Sequence, residues 1–179
     1  AGAIVEALSK KQLVALGLEF PKDIQPAIDQ FLATGNEDLL HATGFFKDPN
    51  YHSGRGSIAM VALLKKMRAL QIPVFCYDIA DGAPFTARDT DMAANIVDYI
   101  NAHPGKMVIT YSGNVHSRLT NGFPGNPQHI NMGAEVLRLA GGKLTLENST
   151  NLNFVASGGS IWNCLPDANS PLGFTFEKR

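Results

Sequence analysis

The chain has 179 residues, 45% of them hydrophobic and 17% charged, with 15 Lys and Arg against 16 Asp and Glu for a net charge of -1. That length supports one domain with a sizeable core. The near-neutral charge carries no electrostatic footprint for nucleic acid or for an anionic membrane surface, and the apolar runs, broken by Lys, Asp or Pro, are too short to span a bilayer.

In chain order the apolar pattern alternates between helical and strand periods. Ile4, Val5 and Leu8 give the first ten residues a helical stripe. The run Leu13 to Leu18 predicts a buried strand that ends at Glu19, with Pro21 as punctuation. Asp23 to Leu32 reads as a helix with Ile24, Ile28, Phe31 and Leu32 inward, followed by a short helix from Glu37 to His41 and a loop rich in Gly, Pro and aromatics. Ser57 to Leu70 predicts an amphipathic helix that turns Ile58, Val61, Ala62, Leu64 and Met67 to the core and Lys65, Lys66 and Arg68 to water.

Pro73 to Tyr77 is the next strand, ending at Asp78. Thr86 to Asn101 is a helix whose core stripe is Met92, Ile96 and Ile100. Met107 to Tyr111 is the third strand and breaks into Ser112-Gly113-Asn114 and His116. Gly113 is expected to supply the sharp change of direction there, and Asn114 to tolerate the turn. Asn126 with Pro127 reads as the start of a further helix, running to Ala140 and stopped by Gly141-Gly142. Leu144 to Leu146, Asn153 to Ala156 and Phe174 to Phe176 read as short strands. Near-continuous apolar strands alternating with helices predict a single α/β domain over residues 1–179. It should be a three-layer sandwich with a mostly parallel central sheet flanked by helices and antiparallel edge strands near the C-terminus.

In open α/β sheets, sites form beyond the carboxyl ends of the strands. Here the first strand delivers Glu19, the second Asp78 and the third, across its turn, His116. Charged residues often end strands merely because the chain meets water there, so the coincidence of three says more than any one. Two carboxylates and an imidazole in one crevice suit a divalent metal, or a base with its orienting acid. Tyr111 and Asn114 flank the same turn as candidate substrate contacts, and His52, in the loop YHSGRGS, could reach over the crevice. His103 has an ordinary explanation at a helix C-terminus, where a cation is favoured.

In TARDTDMAANIVDYI, Thr86 and Asp89 have the spacing of a capping box, which gives Asp89 a structural role. Arg88 has no such role, because a cation in a first helical turn opposes the dipole. It therefore calls for an acidic partner or a bound anion, and Asn95, about two turns on, can share its face. No G-x-S-x-G elbow supports a serine hydrolase, and no P-loop is present. Cys76, within an apolar strand, reads as a buried small hydrophobe, and its spacing to Cys164 is neither a metal nor a redox motif.

The segments LVALGLEFPKDIQPAIDQFL, RDTDMAANI and the GNVH turn, in this order and spacing, resemble a superfamily that joins erythromycin esterases, the ChaN haem-uptake proteins and the Tiki metalloproteases. The likeness spans about Leu13 to Ala140 and is sharpest to the ChaN-like branch. It implies a three-layer α/β fold with a polar crevice, in which Glu19 and His116 match metal ligands or water-activating groups and Arg88 and Asn95 match polar helix positions. Relatives begin with a strand leading to G-E-x-H, a motif this sequence does not contain. The first residue is alanine, so the expectation is a processed chain, secreted or membrane-associated, or one from which a leading strand and loop are missing, or a protein that has shed that half of the family's catalytic set.

Three functions follow. The first is a hydrolase acting on a small-molecule or peptide substrate, in which His116 is base or metal ligand, Glu19 orients it and Arg88 stabilises an oxyanion. The second is a haem- or metal-binding protein of the ChaN type, with Tyr51, His52 or Tyr77 as axial ligand. The third is a host-directed effector or toxin on the same fold.

Overall fold

The computed structural model describes residues 1–47, 54–80, 83 and 87–154, together with the backbone of 162–166 and 174–178. Its centre is a three-stranded parallel sheet of β1 (Val14–Pro21), β2 (Val74–Asp78) and β3 (Met107–Tyr111), in the order β2-β1-β3. Leu16 lies opposite Val74 on one side and Ile109 on the other. β1 is thus the middle strand and is buried at every position but one, which explains its unbroken apolar run.

Alternation along β1 sorts the two faces. Val14, Leu16, Leu18 and Phe20 point into one core with Val5 of α1 (Gly2–Ser9), Ile28 and Phe31 of α2 (Gln25–Thr34), and Val61, Leu64 and Met67 of α5 (Ile58–Ala69). Ala15 joins Phe75 and Tyr77 on the other face, against Met92, Ala93 and Ile96 of α6 (Arg88–Ala102) and Met132 of α7 (Met132–Leu139). Helices on both faces of a parallel sheet make the three layers expected from the sequence. Each fully buried Leu, Ile or Phe here contributes about 1.5–3 kcal/mol. Gly17 of β1 is set by packing: a Cβ there would lie 2.6 Å from Cζ of Phe75, whose ring stacks on Tyr99 at 3.8 Å.

Several elements depart from the expectations. A 3-10 turn, Lys22–Ile24, precedes α2. The aromatic loop before α5 contains two short helices, α3 (Asp38–His41) and α4 (Gly44–Lys47), and α4 turns Phe45 and Phe46 onto Phe20. On α5, Ile58 is 84% exposed and Ala62 is exposed too, because the buried stripe is Val61, Leu64 and Met67, which starts a turn after Ile58 and passes Ala62 by. The helix α7 starts at Met132 with Asn131 before it, not at Asn126-Pro127, which lie in a turn. It still stops at Gly141 and Gly142, both at positive φ. Leu144 to Leu146 form no strand, nor do Asn153 and Phe154; 155–156, the rest of that expected strand, lie outside the described residues. β4 (Trp162–Pro166) and β5 (Phe174–Lys178) pair antiparallel with each other in a two-stranded sheet of their own, not as an edge of the parallel one.

Candidate functional site

After β1 the chain turns to the α2 face of the sheet, and after β3 it turns to the α7 face. Adjacent strands whose connections leave in opposite directions open a crevice at their carboxyl ends. Glu19 alternates with Leu18 and Phe20, so it points to the α6 side of that crevice. Asp78 ends β2, and Arg88 opens α6.

One guanidinium ties these parts together. Arg88 donates from Nε to Asp78 Oδ1 at 2.8 Å and from Nη2 to Asp78 Oδ2 at 2.7 Å, a bidentate pair. The same Nη2 donates to Glu19 Oε1 at 2.7 Å, and Nη1 lies 3.2 Å from His116 Nε2. A first-turn cation therefore sits here because two carboxylates hold it, the acidic partner its position called for. Arg55, from the turn before α5, adds a second guanidinium: Nη1 donates to Asp78 Oδ2 at 2.8 Å and to the Glu19 carbonyl at 3.0 Å. The side chains of Asp78, Glu19 and Arg88 are only 5%, 11% and 15% exposed. Burial pushes the Asp78 carboxyl up, but the hydrogen bonds and charges of Arg88 and then Arg55 outweigh it and hold Asp78 below its ordinary value.

His116 is delivered by the turn after β3. Gly113 donates its N–H to Glu19 Oε2 at 2.9 Å, which moors the turn to β1. Gly113 has no positive φ, and a Cβ there would make ordinary contact with His116 and Glu19, so the turn does not depend on glycine's conformational freedom as the sequence suggested. His116 Nδ1 donates to Asp89 at 3.0 and 2.9 Å. Nε2 faces Arg88, which can only donate, so the neutral ring has its proton on Nδ1 and its lone pair on Nε2. Burial disfavours the charged ring, but the Asp89 hydrogen bond and the Glu19 and Asp89 charges prevail over it and over the Arg88 charge, and His116 is more basic than usual.

The capping box expected of Thr86 and Asp89 falls on Thr86, which lies outside the described residues; Ala87 precedes α6 without any side-chain cap. Asp89 is 8% exposed and points to the site, where Oδ2 also accepts the Met132 N–H at 2.9 Å. Burial raises its carboxyl; the His116 hydrogen bond and charge outweigh that and lower it. The orienting role expected of Glu19 thus falls to Asp89, while Glu19 holds Arg88 and the turn.

The loop from Arg118 to Asn131 closes this side. Asn131 is fully buried and donates from Nδ2 to the carbonyls of Thr120 and Gly122 at 2.7 and 3.0 Å. Gly133 donates to the His116 carbonyl at 2.8 Å, and a Cβ on it would meet the Arg118 carbonyl at 2.6 Å. His129 comes within 3.6 Å of Asp89.

The other expected site residues fall elsewhere. Asn95 spends its amide on the Tyr77 carbonyl at 3.0 Å, fastening α6 to β2. The Tyr111 carbonyl accepts the Tyr77 hydroxyl at 3.0 Å, and Asn114 is exposed, its carbonyl accepting from Ser117. Tyr77 is fully buried and so engaged, which leaves it unable to ligate a haem; Tyr51 and His52 lie outside the described residues. Among the described residues no group of three or more His, Cys, Asp or Glu converges as a metal site. The Arg88 guanidinium bonds both Glu19 and His116, the two ligands expected of a metal. Cys76 is a free, buried thiol that burial makes less acidic. His103 closes α6 by bonding the Tyr99 carbonyl at 2.9 Å. Depressions of about 620 and 310 Å³ lie away from the crevice, beside Met67 and Ile72 and beside His41 and Phe46.

Sequence reasoning missed Arg55, Asp89 and His129. Asp89 had a sufficient local explanation, and Arg55 and His129 stand in loops whose closure no periodicity reports. Compared with family models, curated proteins and solved structures, the chain matches none of them. No helix among the described residues is long and apolar enough to cross a membrane.

Proposed function

We propose that the chain is a hydrolase of ester, amide or phosphate bonds in which His116 is the general base. The observation that carries this reading is the Asp89–His116 pair. A buried carboxylate fixes the ring with its proton on Nδ1, and the basic nitrogen Nε2 is turned to Arg88 in a crevice at the strand ends. The resemblance to the esterase, ChaN and Tiki superfamily agrees with a water-activating histidine at this position.

The chemistry follows from the hydrogen bonds. A substrate oxygen that accepts Arg88 Nη1 draws that donor off His116 and frees the Nε2 lone pair. Water then gives its proton to Nε2 as its oxygen bonds to the substrate carbon or phosphorus. The oxygen that gains charge is held by Arg88, whose guanidinium Glu19 and Asp78 have already oriented. Collapse of the intermediate breaks the bond to the leaving group, which takes the proton back from Nε2. Asp89 stabilises the imidazolium between these steps and does not itself gain a proton.

The test is turnover by wild type, His116→Ala and Asp89→Asn on a panel of carboxyl esters, amides and phosphate esters. Both variants should lose about 10²–10⁴-fold in kcat. Equal turnover by His116→Ala and wild type in every active assay removes His116 from the chemistry. A wild type inactive on all three classes defeats the hydrolase reading.

A further inference from the structure

The loop that closes the site brings a second imidazole to the same carboxylate. His129 Nε2 lies 3.6 Å from Asp89 Oδ2; it is buried and has no hydrogen-bond partner among the described residues. The ring is held in that attitude. Its carbonyl accepts from Gly122 at 2.8 Å, its N–H donates to Asn126, and its face meets Phe123 edge-on at 5.2 Å. Asp89 Oδ2 already takes His116 Nδ1 and the Met132 N–H, both at 2.9 Å. His129 Nε2 stands next to an oxygen that already accepts two hydrogen bonds. A buried ring nitrogen left unpaired keeps its desolvation penalty, so a shorter contact with Asp89 would be rewarded.

We propose that His129 is a positioning residue that competes with His116 for Asp89, so that the charge on each ring governs the proton affinity of the other. When His129 gains a proton, its attraction to Asp89 rises and Oδ2 is drawn from His116 Nδ1. His116 then loses part of its stabilising partner and faces a second cation as well. Both effects make it less basic. The charged groups that converge on the pair are Asp89 and Arg88 from α6, Glu19 from β1, Asp78 from β2 and Arg55 from the turn before α5, and among them Asp89 is the one that lies beside both rings. The inference rests on the hydrolase reading for its consequence, the pH at which His116 serves as base, but its physical content does not need turnover.

The experiment is a pH titration of the imidazole 15N shifts in the whole chain. Wild type should show coupled curves, each ring reporting the other's step as well as its own. His129→Gln, which keeps a neutral donor, and His129→Phe, which keeps the ring contact with Phe123, should both raise the His116 midpoint. The rise should be about half a pH unit or more, the scale of one removed charge in a half-buried site. Independent single-step curves in wild type overturn the proposal even if neither variant folds. A His116 curve unchanged in folded variants overturns it too. Coupled titration in a protein inactive on every substrate class keeps the His129 coupling and defeats only the hydrolase reading. Intact hydrolysis with uncoupled titration does the reverse.

Discussion

Replacing Arg88 by methionine tests the cluster at its centre. The substitution keeps most of the stem's volume and removes three donors from two buried carboxylates: two from Asp78, whose side chain is 5% exposed, and one from Glu19, 11% exposed. Breaking a buried ion pair from one side costs about 3–5 kcal/mol, because the remaining charge is left uncompensated. Arg55 still touches both carboxylates, so the lower end, about 3 kcal/mol at pH 7.5, is expected. With a urea slope of about 2 kcal/mol/M, the unfolding midpoint falls by roughly 1.5 M. The sign with pH follows from Asp78. In wild type its carboxyl is below the ordinary 3.8, so its contribution is complete above that value and is lost only as pH falls through the lower folded one. In the variant, burial without Arg88 acts in the opposite sense, and the penalty is relieved as acid neutralises the carboxyl. The difference between the two proteins should therefore shrink from pH 7.5 to pH 4.5. A loss under about 1 kcal/mol at pH 7.5, or an equal loss at both pH values with unchanged slope, refutes the reasoning.

Three other outcomes follow. His116 is more basic in the folded protein than its ordinary 6.5, so its contribution to stability is complete below that value and disappears as pH rises through the folded one. His116→Gln should thus cost more at pH 5.5 than at pH 8.5 in urea unfolding; the reverse order would mean that burial and Arg88 outweigh Asp89. Asp89→Asn should lower the His116 midpoint by about a unit or more in an imidazole NMR titration, and a midpoint that stays put would remove Asp89 as the source of that basicity. Gly133→Ala places a Cβ 2.6 Å from the Arg118 carbonyl and 2.8 Å from that of Ser117, and neither backbone atom can turn aside. It should destabilise by about 1–3 kcal/mol and detach Met132 from Asp89, so thermal unfolding and activity should fall together. An alanine variant as stable as wild type would show that α7 is not seated on the His116 turn.

The parallel sheet was legible because burial on both faces leaves continuous apolar runs. LVALGL and PVFCY could be little else between turn signals, and the first of them is the middle strand. Glu19, Asp78 and His116 were legible for the same reason, since strand ends in such a sheet share one edge. Arg88 was legible as a local contradiction, a cation where the helix dipole opposes one, and its carboxylates resolve it. Asp89 was illegible because a helix cap was the better local explanation for it. The choice turned on where α6 begins, and a start at Arg88 with no cap puts the carboxylate in reach of His116. The start of α7 failed similarly: Asn126-Pro127 carry the better signal in sequence, yet Asn131 makes three tertiary hydrogen bonds that set the start of the helix. Arg55 and His129 depend on loop closure, a non-local event without a period.

The charges of the site give a reason for the basicity of its histidine that does not depend on any one bond. Among the described groups that converge there, Glu19, Asp78 and Asp89 bring three carboxylates and Arg55 and Arg88 two guanidiniums. Two of these carboxylates, Glu19 and Asp89, raise the basicity of His116 by their charge, and the Asp89 hydrogen bond adds to it; burial and the Arg88 charge act the other way. Two roles of Asp89 can be separated. Asp89→Asn removes a negative charge and the orienting acceptor together, whereas Asp78→Asn removes the same charge two bonds from the ring and leaves Asp89 in place. If the two variants lower the His116 midpoint equally, charge sets it. If only Asp89→Asn does, the hydrogen bond does.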